Sequence, residues 1–282
     1  MKRKLSCAAA LALATGAVLA VSTTTAVYAQ AASTQESTSD GIAEYREMLG
    51  EGGNPAELIE MTGEELWAEK RGPKNASLEQ CELGQGPGVV KDAYAHLPRY
   101  FDDAGRVMDL ESRLVYCMVT LQGMNEKEVT KKPFSGSGDY STDLEALVGY
   151  IVGQSRGTPL AVPQEHPQEK AAFERGKQIF FFRGGPYDFA CASCHSVDGQ
   201  RIRLQDLPNL TESGPARAAY TSWPAYRVSQ GALRSMQWRL NDCFRQQRMP
   251  HLKYGSQASI DLLVFLAANA NGGEMAAPGL KR

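Results

Sequence analysis

Cys191-Ala192-Ser193-Cys194-His195 sets two thiols three residues apart and an imidazole directly after the second. On one short turn, both thiols can add to the vinyl groups of a haem, and the histidine is carried beneath the ring as an axial ligand of the iron. A zinc site would need a second ligand pair at comparable spacing; the next cysteine is Cys243, with no histidine at the right offset. The motif therefore predicts one covalently bound haem c, which would bring the redox chemistry. Its other axial position separates electron carriers from catalysts, and the candidates after His195 are Met236, Cys243, Met249 and His251. A methionine would make an electron-transfer cytochrome of raised potential, with no bond-forming chemistry, whereas a thiolate donates charge to the iron.

The stretch around Cys243 is basic. Arg239 lies one helical turn before it and Arg245, Arg248 and Lys253 follow, with Asp242 as the acid among them. Such cations favour the thiolate form of a cysteine. Guanidinium forks also match the paired oxygens of sulfonate, phosphate or carboxylate groups. Arg245, Arg248 and Lys253 would serve equally as a solvated helix face, while the spacing of Arg239 brings it to the same face as Cys243.

The elements that must position these residues read as helices. Leu58, Ile59 and Met61, then Leu66 and Trp67, recur at spacings of three and four, as do Tyr45 and Met48 before them, and sustained strand-type alternation is lacking. The class is mainly α. Fragments also recur in order between the two halves. Arg71-Gly72-Pro73 precedes Cys81 as Arg183-Gly184-Gly185-Pro186 precedes Cys191, and Arg113-Leu114-Val115-Tyr116-Cys117 answers Arg239-Leu240-Asn241-Asp242-Cys243. Each half closes on an amphipathic helix, residues 143–154 and 259–270, with Leu144, Leu147 and Val148 matching Ile260, Leu263 and Val264. Two related domains follow, 42–156 and 169–282, joined by a Pro-rich linker at 157–168. A helix from Glu169 to Phe182 opens the second, with Phe173, Ile179, Phe180 and Phe182 as packing residues. In the first domain Cys81-Glu82-Leu83-Gly84-Gln85 stands where the second has its haem motif, so that domain should carry no haem. Its two cysteines, Cys81 and Cys117, would lie across the vacated pocket and form a disulfide in an oxidising compartment. Cys243 is then left without a disulfide or thioether partner.

Export is itself written in the chain. Met1-Lys2-Arg3-Lys4, an apolar run from Leu5 to Val21 and Val27-Tyr28-Ala29 form a signal peptide over residues 1–29, taking Cys7 with it. Residues 30–41 have little to bury and read as a disordered leader. A net charge of −2 gives no reason to expect nucleic acid. No further apolar run reaches spanning length, so no membrane anchor is expected.

In combination, Arg71-Gly72-Pro73, Ser77-Leu78-Glu79-Gln80-Cys81, Cys191-Ala192-Ser193-Cys194-His195 and Arg239-Leu240-Asn241-Asp242-Cys243 with Arg245-Gln246-Gln247-Arg248 resemble SoxA, the cytochrome subunit of the SoxAX complex of bacterial thiosulfate oxidation. The departure at Gly84 and Gln85 makes the resemblance closest to its single-haem form. The resemblance implies two cytochrome c-like domains, the first without haem. It implies Cys191 and Cys194 as thioether anchors and His195 and Cys243 as axial ligands, with Cys243 found as a persulfide. Arg239 would be an active-site residue, and Arg245 and Arg248 possible anion-binding neighbours. The implied activity is the oxidative conjugation of thiosulfate to a cysteine of the carrier protein SoxYZ in the periplasm. Joining two sulfurs releases two electrons and one haem accepts one, which agrees with the implied SoxX-type cytochrome subunit and a soluble cytochrome c acceptor beyond it.

Overall fold

A computed structural model of the chain describes residues 53–130, 141–202 and 205–281. The signal peptide, the leader and the helical pattern at Tyr45 and Met48 lie outside the described residues. The first half runs α1 (Ala56–Ala68), β1 (Arg99–Phe101), β2 (Arg106–Met108), α2 (Leu110–Thr120), α3 (Glu126–Val129) and α4 (Asp143–Gly153). The second runs α5 (Pro167–Phe181), α6 (Ala192–His195), β3 (Arg201–Ile202), β4 (Gln205–Asp206), α7 (Ser213–Tyr220), β5 (Ala225–Arg227), β6 (Ala232–Arg234), α8 (Met236–Gln246), α9 (Gln257–Asn269) and β7 (Gly279–Lys281). β1 pairs antiparallel with β2, β3 with β4, and β5 with β6, while β7 lies parallel to β5. The chain is mainly α, as its periodicity predicts.

Local sequence explains where the helices start. Asp109, Thr142, Ser235 and Ser256 cap α2, α4, α8 and α9 by accepting a backbone N–H of the first turn. Thr142 with Glu145 forms a capping box, as does His166 with Glu169, where Pro167 supplies a first-turn residue that needs no donor. In α1 the buried residues are Ala56, Gly63 and Trp67, while Leu58 is 70 % exposed and Met61 61 %. The apolar period thus locates the helix, but two of its large apolar residues face outward.

Each half closes by crossing its first helix on its last at a glycine. A Cβ on Gly63 would stand 2.0 Å from the Ala146 carbonyl oxygen and 2.8 Å from the Tyr150 Cβ; on Gly176 it would stand 2.0 Å from the Asp261 oxygen and 2.9 Å from the Phe265 Cβ. Only glycine lets the two backbones approach so closely. These contacts pair Ala146 with Asp261 and Tyr150 with Phe265, one residue away from the match expected from Leu144 and Ile260. The reason is that α9 is buried on all sides from Ser259 to Ala267, so apolar residues do not mark its contact face.

The middle segments repeat without a gap. Tyr94 corresponds to Tyr220, the β1–β2 hairpin to β5–β6, Gly105 to Gly231 (φ 63° and 60°), Asp109 to Ser235, Arg113 to Arg239 and Cys117 to Cys243. Cys81 and Cys117 are joined by a disulfide, with an S–S distance of 2.00 Å and Cα atoms 5.7 Å apart. By closing a loop over a separation of 36 residues it contributes about 4 kcal/mol in the chain-entropy account.

The two halves meet where α2 and α8 begin. Gln237, in the first turn of α8, donates to Asp109, the cap of α2. Reciprocally, Glu111, in the first turn of α2, takes a hydrogen bond from Ser235, the cap of α8. Tyr94 and Tyr220, hydrogen-bonded to each other, complete this buried centre. Arg234 and Glu145 add a buried ion pair at 3.3 Å between the halves. The Pro-rich connector is packed against both: Ala161 donates to the Ala95 carbonyl, Leu160 exchanges backbone bonds with Gly272 and Gly273, and Leu160 and Val162 are buried. The described residues from Asn54 onward accordingly form one compact unit.

Gly63→Ala and Gly176→Ala should each lose about 1–3 kcal/mol of stability in denaturant titrations, since either methyl group must force two helices apart. Burial, reinforced by Asp109, raises the Glu111 carboxyl well above its ordinary range, so the folded protein holds that proton more tightly than the unfolded chain. Its contribution is therefore most favourable below the ordinary carboxylate range and declines as pH rises toward the folded value. Glu111→Gln should flatten this decline between about pH 5 and 7, seen as a smaller change in the unfolding midpoint.

Candidate functional site

α6 is a single turn, and it carries the Cys191 to His195 motif. Backbone bonds from Cys194 and His195 to the Cys191 carbonyl, at 3.1 and 2.9 Å, bring both thiols and the imidazole to one place. The His195 Nδ1 lies 2.9 Å from the Pro208 carbonyl oxygen, which can only accept, so Nδ1 carries the proton and Nε2 keeps its lone pair. The Leu210 amide returns a bond of 2.8 Å to the His195 carbonyl. Burial lowers the His195 pKa, the Pro208 bond works against this, and the Arg239 charge adds to the lowering. A neutral imidazole anchored through one nitrogen has the form required of an axial ligand.

Cys191, Cys194 and Cys243 carry no disulfide and are half-buried. Cys243 comes from α8; its charge would act on Cys191, and that of Cys194 on Cys243, so the tertiary fold gathers the three thiols. Burial pushes the Cys191 thiol up to about 12. It also raises Cys243, although Arg239 and Arg227 pull the other way. Arg239, of the basic stretch, thus favours the thiolate as expected, with Arg227 adding to it, and burial works against both.

The surroundings suit a haem. Six of the nine exposed large apolar side chains among the described residues lie between Phe181 and Ile202, on either side of the motif. Phe180 is buried as expected, but Phe182 is 63 % exposed, and Phe181, Tyr187, Phe189 and Val197 are exposed with it. A large apolar ring attached at Cys191 and Cys194 would have apolar partners on that fringe. Of the other ligand candidates, Met236 lines a small cavity between the halves with Tyr94, Asp109 and Tyr220, His251 is exposed, and Met249 is half-buried. Cys243 is close enough for its charge to act on Cys191.

The two copies of the Arg-Leu-x-x-Cys segment show what the site can do chemically. Arg113 is 2 % exposed and doubly bonded to Asp103 at 2.9 and 2.8 Å; it also donates to the Glu82 carbonyl and lies over the rings of Phe101 and Tyr116. Its charge is neutralised and enclosed. At the matching positions the second half has Arg227 for Phe101, Ser229 for Asp103 and Asp242 for Tyr116. Arg239 is 29 % exposed and 3.4 Å from Asp242, which also accepts from Arg245 at 2.6 Å and from Gln246 at 2.7 Å. A guanidinium paired so loosely beside a reactive sulfur is a ready partner for a small anion. Arg245 is exposed and tied to Asp242, and Arg248 stacks over Tyr187 at 5.5 Å. Arg227 does not stand out in the sequence, where it precedes Cys243 by more than a dozen residues; its spacing from Cys243, the same as that of Phe101 from Cys117, is the signal that would have found it.

The chain matches the family described as SoxA/TsdA, cytochrome c domain, over residues 62–160, which covers most of the half that lacks the haem motif and the start of the connector. It is 55 % identical over 241 residues to the L-cysteine S-thiosulfotransferase subunit SoxA of Hydrogenophilus thermoluteolus, covering 86 % of this chain and 87 % of that protein. It is 32 % identical over 251 residues to the subunit of the same name from Hydrogenobacter thermophilus, covering 88 % and 91 %. The crystal structure of SoxXA from P. pantotrophus has a chain that superposes with a TM-score of 0.66 at 25 % identity, covering 81 % of this chain and 79 % of that one.

Arg113 and Arg239 should respond oppositely to truncation. Arg113→Ala removes an enclosed charge and should cost about 3 kcal/mol in chemical denaturation. Arg239→Ala should stay within about 1 kcal/mol of the parent protein, since its pair is partly solvated.

Proposed function

The chain belongs to the SoxA family, and on that premise we propose that it is the haem-bearing subunit of an L-cysteine S-thiosulfotransferase, oxidatively conjugating thiosulfate to a cysteine of a SoxYZ carrier. In this reading residues 42–156 are a haem-free cytochrome c-like domain and residues 169–282 its haem-binding counterpart. Cys191 and Cys194 would hold one haem c, and His195 and Cys243 would be the ligands of its iron. When bound, the haem supplies one-electron redox capacity. The protein works in the periplasm after loss of residues 1–29, with a SoxX-type subunit and a soluble cytochrome c as acceptor. No helix among the described residues is long and apolar enough to cross a membrane.

The observation that carries the proposal is the contrast between the two arginines. The same segment that encloses Arg113 against Asp103 leaves Arg239 with a single longer bond, 3.4 Å, to Asp242, a carboxylate it shares with Arg245 and Gln246, and its field reaches both His195 and Cys243. Thiosulfate is a small dianion with a sulfonate end and a sulfane sulfur. Arg239 holds the sulfonate, which turns the sulfane sulfur toward Cys243. Sulfur–sulfur exchange needs an anionic nucleophile, and Arg239 is the cation that opposes the burial of Cys243. Cys243 carries an additional sulfur in this reading, since a persulfide ionises more readily than a thiol and would meet the cost that burial imposes.

With carrier, partner subunit and acceptor cytochrome present, thiosulfate-dependent conjugation can be followed by mass analysis of the carrier. Cys243→Ser should abolish conjugation while haem remains attached, and Arg239→Ala should lower kcat/KM by about a hundredfold or more. Ser229→Asp, which restores the carboxylate of the first half at an exposed position, should also impair turnover without loss of stability. Full conjugation by Cys243→Ser would leave an electron carrier as the better account.

A further inference from the structure

Resting on the proposed function, we infer that Arg227 is a second anion-binding residue, forming with Arg239 a two-arginine cradle for the sulfonate of the substrate. The argument comes from the internal repeat. β1 and β5 occupy the same place in identical hairpins: Arg99 pairs with Met108 as Ala225 pairs with Arg234, and Phe101 pairs with Arg106 as Arg227 pairs with Ala232. In the first half the residue ending this strand, Phe101, lies against the guanidinium of Arg113, with its ring centre 4.2 Å from Cζ. The repeat places Arg227 at the corresponding flank of Arg239.

Two further facts give that placement a chemical sense. The Arg227 guanidinium lies 5.9 Å from the ring centre of Trp238, the neighbour of Arg239 on α8, so it reaches back over the helix that bears the site. Its charge also acts directly on Cys243. The exchange of Phe101 for Arg227 coincides with that of Asp103 for Ser229, so one half has an aromatic ring and a carboxylate at these two positions, and the other has a second arginine and a serine, with Asp242 shared among Arg239, Arg245 and Gln246. Because both are guanidiniums, each can offer paired donors to a tetrahedral sulfonate, which presents three oxygens. A singly charged or purely thiol substrate would gain less, so the pair favours a small oxyanion of charge −2.

The test uses the haem-loaded complex with its partner subunit. Equilibrium binding of thiosulfate, and of sulfate as an unreactive competitor, is measured by calorimetry for the parent protein, Arg227→Met, Arg227→Gln and Arg106→Met, an exposed arginine of the first half. Either Arg227 variant should weaken both anions and raise KM for thiosulfate by about tenfold to a hundredfold, with kcat within about threefold and an unchanged haem spectrum. The glutamine variant, which keeps a polar side chain against Trp238, guards against a packing defect in the methionine variant. Affinities and KM within about twofold of the parent in both, or a fall in kcat at unchanged KM, overturn the cradle. A parent complex that binds neither anion overturns it too. A parent complex that binds thiosulfate without conjugating it overturns the proposed function instead, and weakened binding in Arg227→Met and Arg227→Gln would then still support the cradle.

Discussion

Two helix N-termini meet at the centre of this protein, and the arrangement is tolerable only because each cap serves the other helix. The first turns of α2 and α8 present unpaired N–H groups and the positive ends of two helix dipoles. Asp109 accepts from Ser112 in its own helix and from Gln237 in the other, while Glu111 takes the Ser235 hydroxyl. Gln237 goes on to the Gly255 amide and the Ser259 hydroxyl, linking the start of α9 to the same network. Fully satisfied, such a buried network fixes one relative arrangement of the halves; partly satisfied, it would cost more than an apolar core.

The functional segments hang from this centre. Arg113 and Cys117 lie one and two turns along α2, and Arg239 and Cys243 lie at the same depths along α8. What each segment does is set by what surrounds it. In the first half Cys117 is spent on a disulfide to Cys81 and Arg113 on Asp103, so both reactive groups become structural. In the second, Cys243 faces the haem motif and Arg239 is only loosely paired. A single backbone scaffold thus supplies two differently charged surroundings for the same Arg-Leu-x-x-Cys segment, through three side-chain exchanges at matching positions, Arg227 for Phe101, Ser229 for Asp103 and Asp242 for Tyr116.

Much of this was legible in the chain. The C-x-x-C-H spacing, the paired Arg-Leu-x-x-Cys segments, the closing helices and the partnership of Cys81 with Cys117 are local or repeated patterns, and local patterns survive in a sequence. The SoxA resemblance drawn from them agrees with the relatives found. Two readings needed correction or addition. The helix register is one residue off because α9 is buried all round, and Arg227 went unnoticed because its partners come from another element.

The sequence by itself determined which groups are present and what covalent chemistry they permit, because thioether spacing, helix capping and the glycines at the helix crossings act over a few residues. Only the tertiary structure decided which of two identical arginines is available. That choice depends on a carboxylate ten residues from Arg113 folding over it, and on a serine standing at the matching place beside Arg239. The free energy of a charge depends on the neighbours and the solvent that the whole fold leaves around it.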